Sequence, residues 1–226
     1  MIIFDEEKRI FHISTLSSSY VIRLNGEYII EHLYYGRKLS NLIGLSDYED
    51  TFVPAFSAID DEYRQQRIST DFVLQEYAFY GSSDLRKPSF HAVYTDGSRI
   101  TKMKFVSYKI YEGKPGLSGL PSTYIEDDSE ADTLEILFKD ELTGLELTYV
   151  YTAFSQFDAI TRSVKARNTG MFNINIKEIM SCNVDFPRDD FDFIHLPGAW
   201  CRERHIERKS LISGRTHIES RRGSSS

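Results

Sequence analysis

The sequence predicts an all-β fold: a large two-sheet antiparallel β-supersandwich with long loops and little helix. Three observations carry that expectation. Apolar or alternating runs of strand length recur along the chain, turn chemistry separates them, and few stretches keep a 3.6-residue period long enough for a helix. Strands spaced at this interval pack as two large sheets face to face.

Taken in order, residues 11–35 read as strand on both sides of Asn25-Gly26. Asn-Gly between two apolar, β-branched runs is a strong hairpin signal, because both residues accept positive φ at low cost. The same grammar returns in Phe90 to Tyr94, Ile100 to Tyr111, Leu134 to Phe138, Leu145 to Ala153, Ala159 to Asn168 and Ile174 to Val184. Between them, Thr95-Asp-Gly-Ser98 predicts a hairpin loop, Lys114 to Pro121 a longer connection, and Asn168-Thr-Gly170 a tight reversal. Two regions break the pattern. Residues 41–74 are acidic and irregular, too long for an idle loop, so they are expected to be functional or partly disordered. Residues 185–226 are polar with clustered charge and one aromatic-rich interval. No repeat of 20 to 50 residues is present, which excludes a solenoid or propeller.

Composition narrows the function classes. A chain of 226 residues with 41% apolar and 13% aromatic content can bury a substantial core, which excludes disorder for most of its length. At this size roughly 70% of the unfolded surface is buried, so neither disulfide nor structural metal is needed. The formal charge of −7 argues against broad attraction to nucleic acid or an anionic membrane. No apolar run approaches the roughly 18 to 20 residues of a membrane span, and Met1-Ile-Ile-Phe-Asp-Glu-Glu lacks the features of a signal peptide. The expectation is a cytoplasmic protein, in which Cys182 and Cys201 are two free thiols rather than one bridge.

Few motifs for bond-making chemistry are present. The six histidines (12, 32, 91, 195, 205, 217) form no His-x-x-x-His, and no Cys-x-x-Cys occurs, so no metal is expected. The Gly-rich phosphate cradles and Gly-x-Ser-x-Gly are missing, so no nucleotide cofactor is expected either. Cys201 near His205 is a weak nucleophile–base pair, since such partners usually meet in space rather than in sequence. The aspartates 185, 189, 190 and 192 around Phe186, Phe191 and Phe193 read as a solvated loop pinned by aromatics, or as a binding surface. The densest signal is His195-Leu-Pro-Gly-Ala-Trp-Cys-Arg-Glu-Arg-His205, which sets the sole tryptophan beside Arg202 and Arg204. Sugars offer C–H faces to an indole and hydroxyls to guanidiniums and carboxylates, so a saccharide-contacting loop is one reading. The other is a loop closed by an Arg–Glu pair with the indole as a lid on the core.

That segment, with Leu211-Ile-Ser-Gly214 and Ile218-Glu-Ser-Arg-Arg-Gly-Ser-Ser225, resembles the amino-terminal part of glycoside hydrolase family 36 α-galactosidases. His32-Leu-Tyr-Tyr-Gly-Arg-Lys38, Leu74-Gln-Glu-Tyr77, Tyr80 to Pro88, Gly119-Leu-Pro-Ser-Thr-Tyr124 and Val184-Asp-Phe-Pro187 match in the same order, so the resemblance covers nearly the whole chain.

The resemblance implies a three-part enzyme: an amino-terminal β-sandwich corresponding to residues 1–226, a (β/α)8 barrel with the catalytic carboxylates, and a carboxy-terminal β domain. In relatives the Arg-Gly-Ser-Ser stretch continues toward the barrel, so Ser226 is expected to be a truncation. The implied chemistry is retaining hydrolysis of α-galactoside oligosaccharides of the melibiose or raffinose type, using two carboxyls about 5 to 5.5 Å apart. Both would belong to the barrel, and no catalytic residue is assigned within this chain. Homotetramers are usual in the family, with loops of this domain reaching a neighbour's active-site mouth. Trp200, Arg202 and Arg204 are carried over as substrate-binding candidates, with Arg64 and Arg67 as weaker ones. In some relatives an acidic residue stands two positions before an Ala-Phe-Ser run, where this chain has Val53, so no sugar contact is assigned there. The alternatives are an independent carbohydrate-binding module and an oligomerisation module.

Overall fold

The structure, a computed structural model, describes residues 1–45, 70, 73–81, 86–186, 188–212 and 214–219. It divides into two compact units, Met1–Asp185 and Phe186–Ser226. Among the described residues, apart from one turn of 3₁₀ helix at Asp128–Glu130, the regular structure is all β.

The first unit contains two four-stranded antiparallel meanders. One runs β1 (Ile2–Asp5), β2 (Ile10–Ser14), β3 (Ser18–Asn25) and β4 (Ile29–Arg37). The other runs β6 (Lys104–Glu112), β7 (Ala131–Lys139), β8 (Leu145–Phe154) and β9 (Ile160–Asn168). Between them in sequence, β5 (Phe90–Tyr94) pairs with β10 (Ile174–Ile179) as a separate ribbon. The expected two sheets are therefore present, with this two-stranded addition.

Period-2 alternation explains why these runs are strands and where they pack. Tyr20, Ile22 and Leu24 of β3, Leu134, Ile136 and Phe138 of β7, and Leu145, Leu147, Tyr149 and Tyr151 of β8 all join one buried cluster. Rings carry much of it: Phe4 stacks on Phe11 at 4.3 Å, and Tyr77 meets Tyr149 at 4.9 Å. Each fully buried Leu, Ile or Phe side chain contributes roughly 1.5–3 kcal/mol. In the second meander β6 and β9 are the edges, and β6 bulges between Phe105 and Ser107.

The turns correct the sequence in detail. Asn25 pairs with Ile29, so the β3–β4 loop has three residues, and of the Asn-Gly pair only Gly26 takes a positive φ. Asn25 stays in the strand and donates from Nδ2 to Glu31 at 2.8 Å. The turn at residues 95–98 closes as expected, with Tyr94 N–H donating to Ser98 at 2.9 Å, but β5 leaves it to pair with β10 and not with the following strand. The Asn168 reversal interlocks with the β7–β8 turn so tightly that a Cβ on Gly144 would lie 2.5 Å from the Gly170 nitrogen.

The second unit holds β11 (Asp192–His195) and β12 (Glu207–Ser210), an antiparallel ribbon from Asp192↔Ser210 to His195↔Glu207. The polar composition of residues 185–226 had not suggested it. Among the described residues no helix is long and apolar enough to cross a membrane.

Candidate functional site

Two constellations stand out, one in each unit. In the second unit β11 and β12 hold a loop of residues 196–206 between them, narrowed at its tip by a local bridge. There Ala199 and Arg202 exchange backbone hydrogen bonds of 3.2 and 2.8 Å, with Trp200 and Cys201 at the tip. Cys201 takes φ 63°, the value a type II turn demands at its third position and normally gives to glycine. Arg204 follows at φ 59°. Each such residue costs of order 1–3 kcal/mol, and strain of this kind gathers where a side chain must be displayed in a set direction. The Glu203 carboxylate accepts from the Cys201 N–H at 2.8 Å, which fixes it to the turn.

The outcome at the tip is display. Trp200 is 87% exposed, and Arg202 and Arg204 are exposed on either side of Glu203. The indole is therefore no lid on the core, and Glu203 spends its carboxylate on the backbone. Behind the tip the ribbon is fixed by polar contacts: Asp192 accepts from Ser210 at 2.7 Å and Arg208 at 2.5 Å, which hold its carboxyl below the usual range. His195 and Glu207 face each other at 3.4 Å, Phe186 meets Phe191 at 5.1 Å, and Arg188 pairs with Asp190. The aspartate–phenylalanine stretch is thus pinned by rings and local ion pairs, as the first of its two readings held. Arg64 and Arg67 lie outside the described residues, as do Val53 and most of the 41–74 stretch.

The second constellation lies inside the sandwich, and the sequence had not singled it out. Glu76 is fully buried, accepts from Tyr20 Oη on both carboxylate oxygens at 2.7 Å and from Tyr151 Oη at 2.9 Å, and forms an ion pair with Arg162 Nη1 at 2.7 Å. The Arg162 side chain is only 8% exposed, and its Nη2 donates to the Glu76 carbonyl at 2.8 Å. Burial works against the guanidinium charge, but Tyr151, Glu76 and Tyr20 outweigh it and hold the group above its ordinary range. Burial drives the Tyr20 and Tyr151 phenols upward, with Glu76 adding to the effect in both, so they remain donors at any physiological pH. Above the pair a cleft of about 300 Å³ is lined by Tyr20, Tyr35, Tyr151, Arg162 and the exposed thiol of Cys182. A signal for this centre was present in β9: Ile160 and Val164 pack on the core, and Arg162 stands between them where alternation calls for an apolar side chain.

Cys201 is also a free thiol, and the backbone N–H of His205 donates to the Pro197 carbonyl at 3.2 Å. Among the described residues no three His, Cys, Asp or Glu side chains group as a metal site requires.

The first unit is a β-sandwich, and the second displays an exposed tryptophan followed by two exposed arginines. Residues 29–226 match the family model of the glycosyl hydrolase family 36 N-terminal domain. The α-galactosidase AgaA of Geobacillus stearothermophilus is 40% identical over 223 residues, covering 99% of this chain and 30% of that protein. The crystal structure of the α-galactosidase AgaB from the same organism superposes with a TM-score of 0.91 at 38% identity, over 99% of this chain and 30% of that one. A variant of AgaA crystallised in complex with raffinose superposes with a TM-score of 0.89 at 41% identity, over 95% and 30%. This chain belongs to the glycoside hydrolase family 36 N-terminal domain family. It spans about 30% of the length of these relatives.

Proposed function

We propose that the chain is the amino-terminal part of a cytoplasmic, homotetrameric α-galactosidase, which removes terminal α-D-galactosyl residues from melibiose- and raffinose-type oligosaccharides with retention. The catalytic carboxylates belong to a (β/α)8 barrel outside residues 1–226, and this domain contributes oligomer contacts and sugar-facing loops. Membership of the family supports this, as do relatives that are α-galactosidases and one that binds raffinose.

The observation that carries the reading is the display of Trp200 just before the positive-φ positions Cys201 and Arg204, with Arg202 and Arg204 exposed in the same loop. An exposed indole offers a flat face to pyranose C–H groups, and the guanidiniums donate to ring hydroxyls. Arg64 and Arg67 are assigned a supporting role from the family resemblance alone.

Kinetics with a nitrophenyl α-galactoside and with raffinose test this. The 226-residue chain alone gives no turnover, whereas the complete gene product is active. In the latter, Trp200→Ala raises KM for raffinose about tenfold and changes kcat less than about twofold, the signature of lost ground-state binding. Turnover by the short chain, or an unchanged KM, overturns the proposal.

A further inference from the structure

Turns usually end in small polar residues, because a large apolar side chain at a tip gains nothing from burial. Two turns of the first unit break that habit. The β7–β8 turn carries Leu142, 94% exposed, and the β9–β10 turn carries Phe172, 67% exposed. Both border a cleft of about 370 Å³, a size in the range of small-molecule sites, with the buried Tyr94 and the half-buried Ile174 at its base.

The cleft is preformed. Asp140, itself 3% exposed, accepts from the Leu142 N–H at 3.0 Å and the Thr143 N–H at 3.1 Å, which sets the first turn. Thr169 N–H donates to the Gly144 carbonyl at 2.9 Å, so the second turn hangs on the first. Asn168 Nδ2 donates to the Phe172 carbonyl at 2.9 Å, and Thr95 Oγ1 donates to the Asn173 carbonyl at 3.1 Å, which ties in the turn after β5. Three turns fix one another, and a ligand entering between them has little backbone left to order.

The lining sets what fits. Around the apolar base stand the hydroxyls of Thr95, Ser98 and Thr143 and the carboxylate of Asp96. Hydrogen bonds from Ser98 hold that carboxyl below its ordinary range, so it is an ionised acceptor at neutral pH, with lone pairs to spare. Among the described residues no lysine, arginine or histidine borders the cleft, so a phosphate or other anion finds no counter-charge there. A neutral ring with C–H faces for Phe172 and hydroxyls for the polar groups engages both parts of the lining.

We infer that this three-turn cleft, built entirely from residues of the first unit, is a saccharide-binding site in which a pyranose lies against Phe172 and its hydroxyls bond to Asp96, Thr95 and Thr143. The choice of an α-galactoside as the sugar rests on the proposed function, and raffinose is therefore the probe.

Titration of raffinose into the isotopically labelled 226-residue chain, followed through its amide chemical shifts, tests the site. The Ser98, Thr143 and Phe172 amides shift together and saturate. Phe172→Ala weakens this binding about tenfold, the upper end of what one ring contact contributes, and Asp96→Asn weakens it about fivefold. Trp200→Ala leaves it unchanged. Should the short chain give no resolved spectrum, the complete gene product is run through gels containing galactomannan, a polymer with α-galactosyl side groups. There Phe172→Ala migrates faster than wild type, while its kcat on a nitrophenyl α-galactoside stays within about twofold. Absence of the three shifts, shifts that survive Phe172→Ala, equal affinity for choline chloride, or unchanged migration in the gel overturns the inference. If Trp200→Ala leaves KM for raffinose unchanged while the cleft amides still shift, it is the sugar-turn proposal that falls.

Discussion

Arg162 in the sandwich and Arg208 in the ribbon each meet a carboxylate, and the two pairs have little else in common. The first is 8% exposed against a fully buried Glu76, which two phenols and the His32 ring also face. The second is 67% exposed against an Asp192 that a serine also binds. Removing either partner of the first strands a buried charge, whereas the second exchanges with water and contributes little to stability. The difference teaches where conformational information resides. Among the described residues of the first unit burial dictates geometry and polar groups are fitted to it; among those of the second, local hydrogen bonds dictate geometry and leave aromatic and cationic side chains on display.

The largest test of that contrast is a pair of truncations. Phe138→Ala, at a side chain 1% exposed in the core, lowers the unfolding free energy by about 3–5 kcal/mol, read from the shift in urea midpoint. Ile194→Ala, at a ribbon side chain 57% exposed, changes it by no more than about 0.5 kcal/mol. Equal losses would break the comparison.

A smaller contrast lies in the turns. Gly144 (φ 74°) and Gly214 (φ 77°) both occupy the left-handed region, so alanine strains either by of order 1–3 kcal/mol. Only Gly144 also faces the Gly170 backbone, whereas a Cβ on Gly214 meets nothing within 4 Å. Gly144→Ala therefore lowers the melting temperature more than Gly214→Ala, and the reverse order would show that the two turns are not packed as described.

The smallest effect is a pH dependence. Hydrogen bonds from Ser17 Oγ, Thr15 Oγ1 and the Ser17 N–H hold Asp158 at about 2, below the usual 3.8. A carboxyl whose folded value is depressed stabilises the fold above its unfolded value, and that contribution fades as pH falls from 3.8 toward about 2. The urea-midpoint difference between wild type and Asp158→Ala is accordingly present at neutral pH and shrinks through that window. A difference that stays constant from neutral pH to pH 2 would mean these bonds do not favour the ionised form.

Much of the sandwich was legible because its strands are buried on one face and so carry a period of two; β5, β7, β8 and β9 fall where alternation put them, with modest shifts at their ends. β6 begins at Lys104 and not at Ile100, since Thr101 and Met103 are buried without pairing in the ladder. β1, β11 and β12 were missed for one physical reason: each is four residues long, and Glu207-Arg-Lys-Ser210 is exposed throughout, so no face imposes a pattern on it. The Trp200 turn was legible through the rarity of its residues, but the positive φ values of Cys201 and Arg204 were not, because neither residue type signals them. The Glu76 centre needed contacts between residues 56 to 86 apart in sequence, which local spacing does not encode.

The rims of the second meander have a consequence for handling the domain by itself. Open strands invite other chains to join their ladders, and β6 and β9 answer with Lys104 and Lys109 on one side and Lys165 and Arg167 on the other. The bulge after Phe105 also breaks the regular spacing of donors and acceptors that an incoming strand would need. Charged side chains and an irregular rung both work against edge-wise polymerisation of the isolated sandwich.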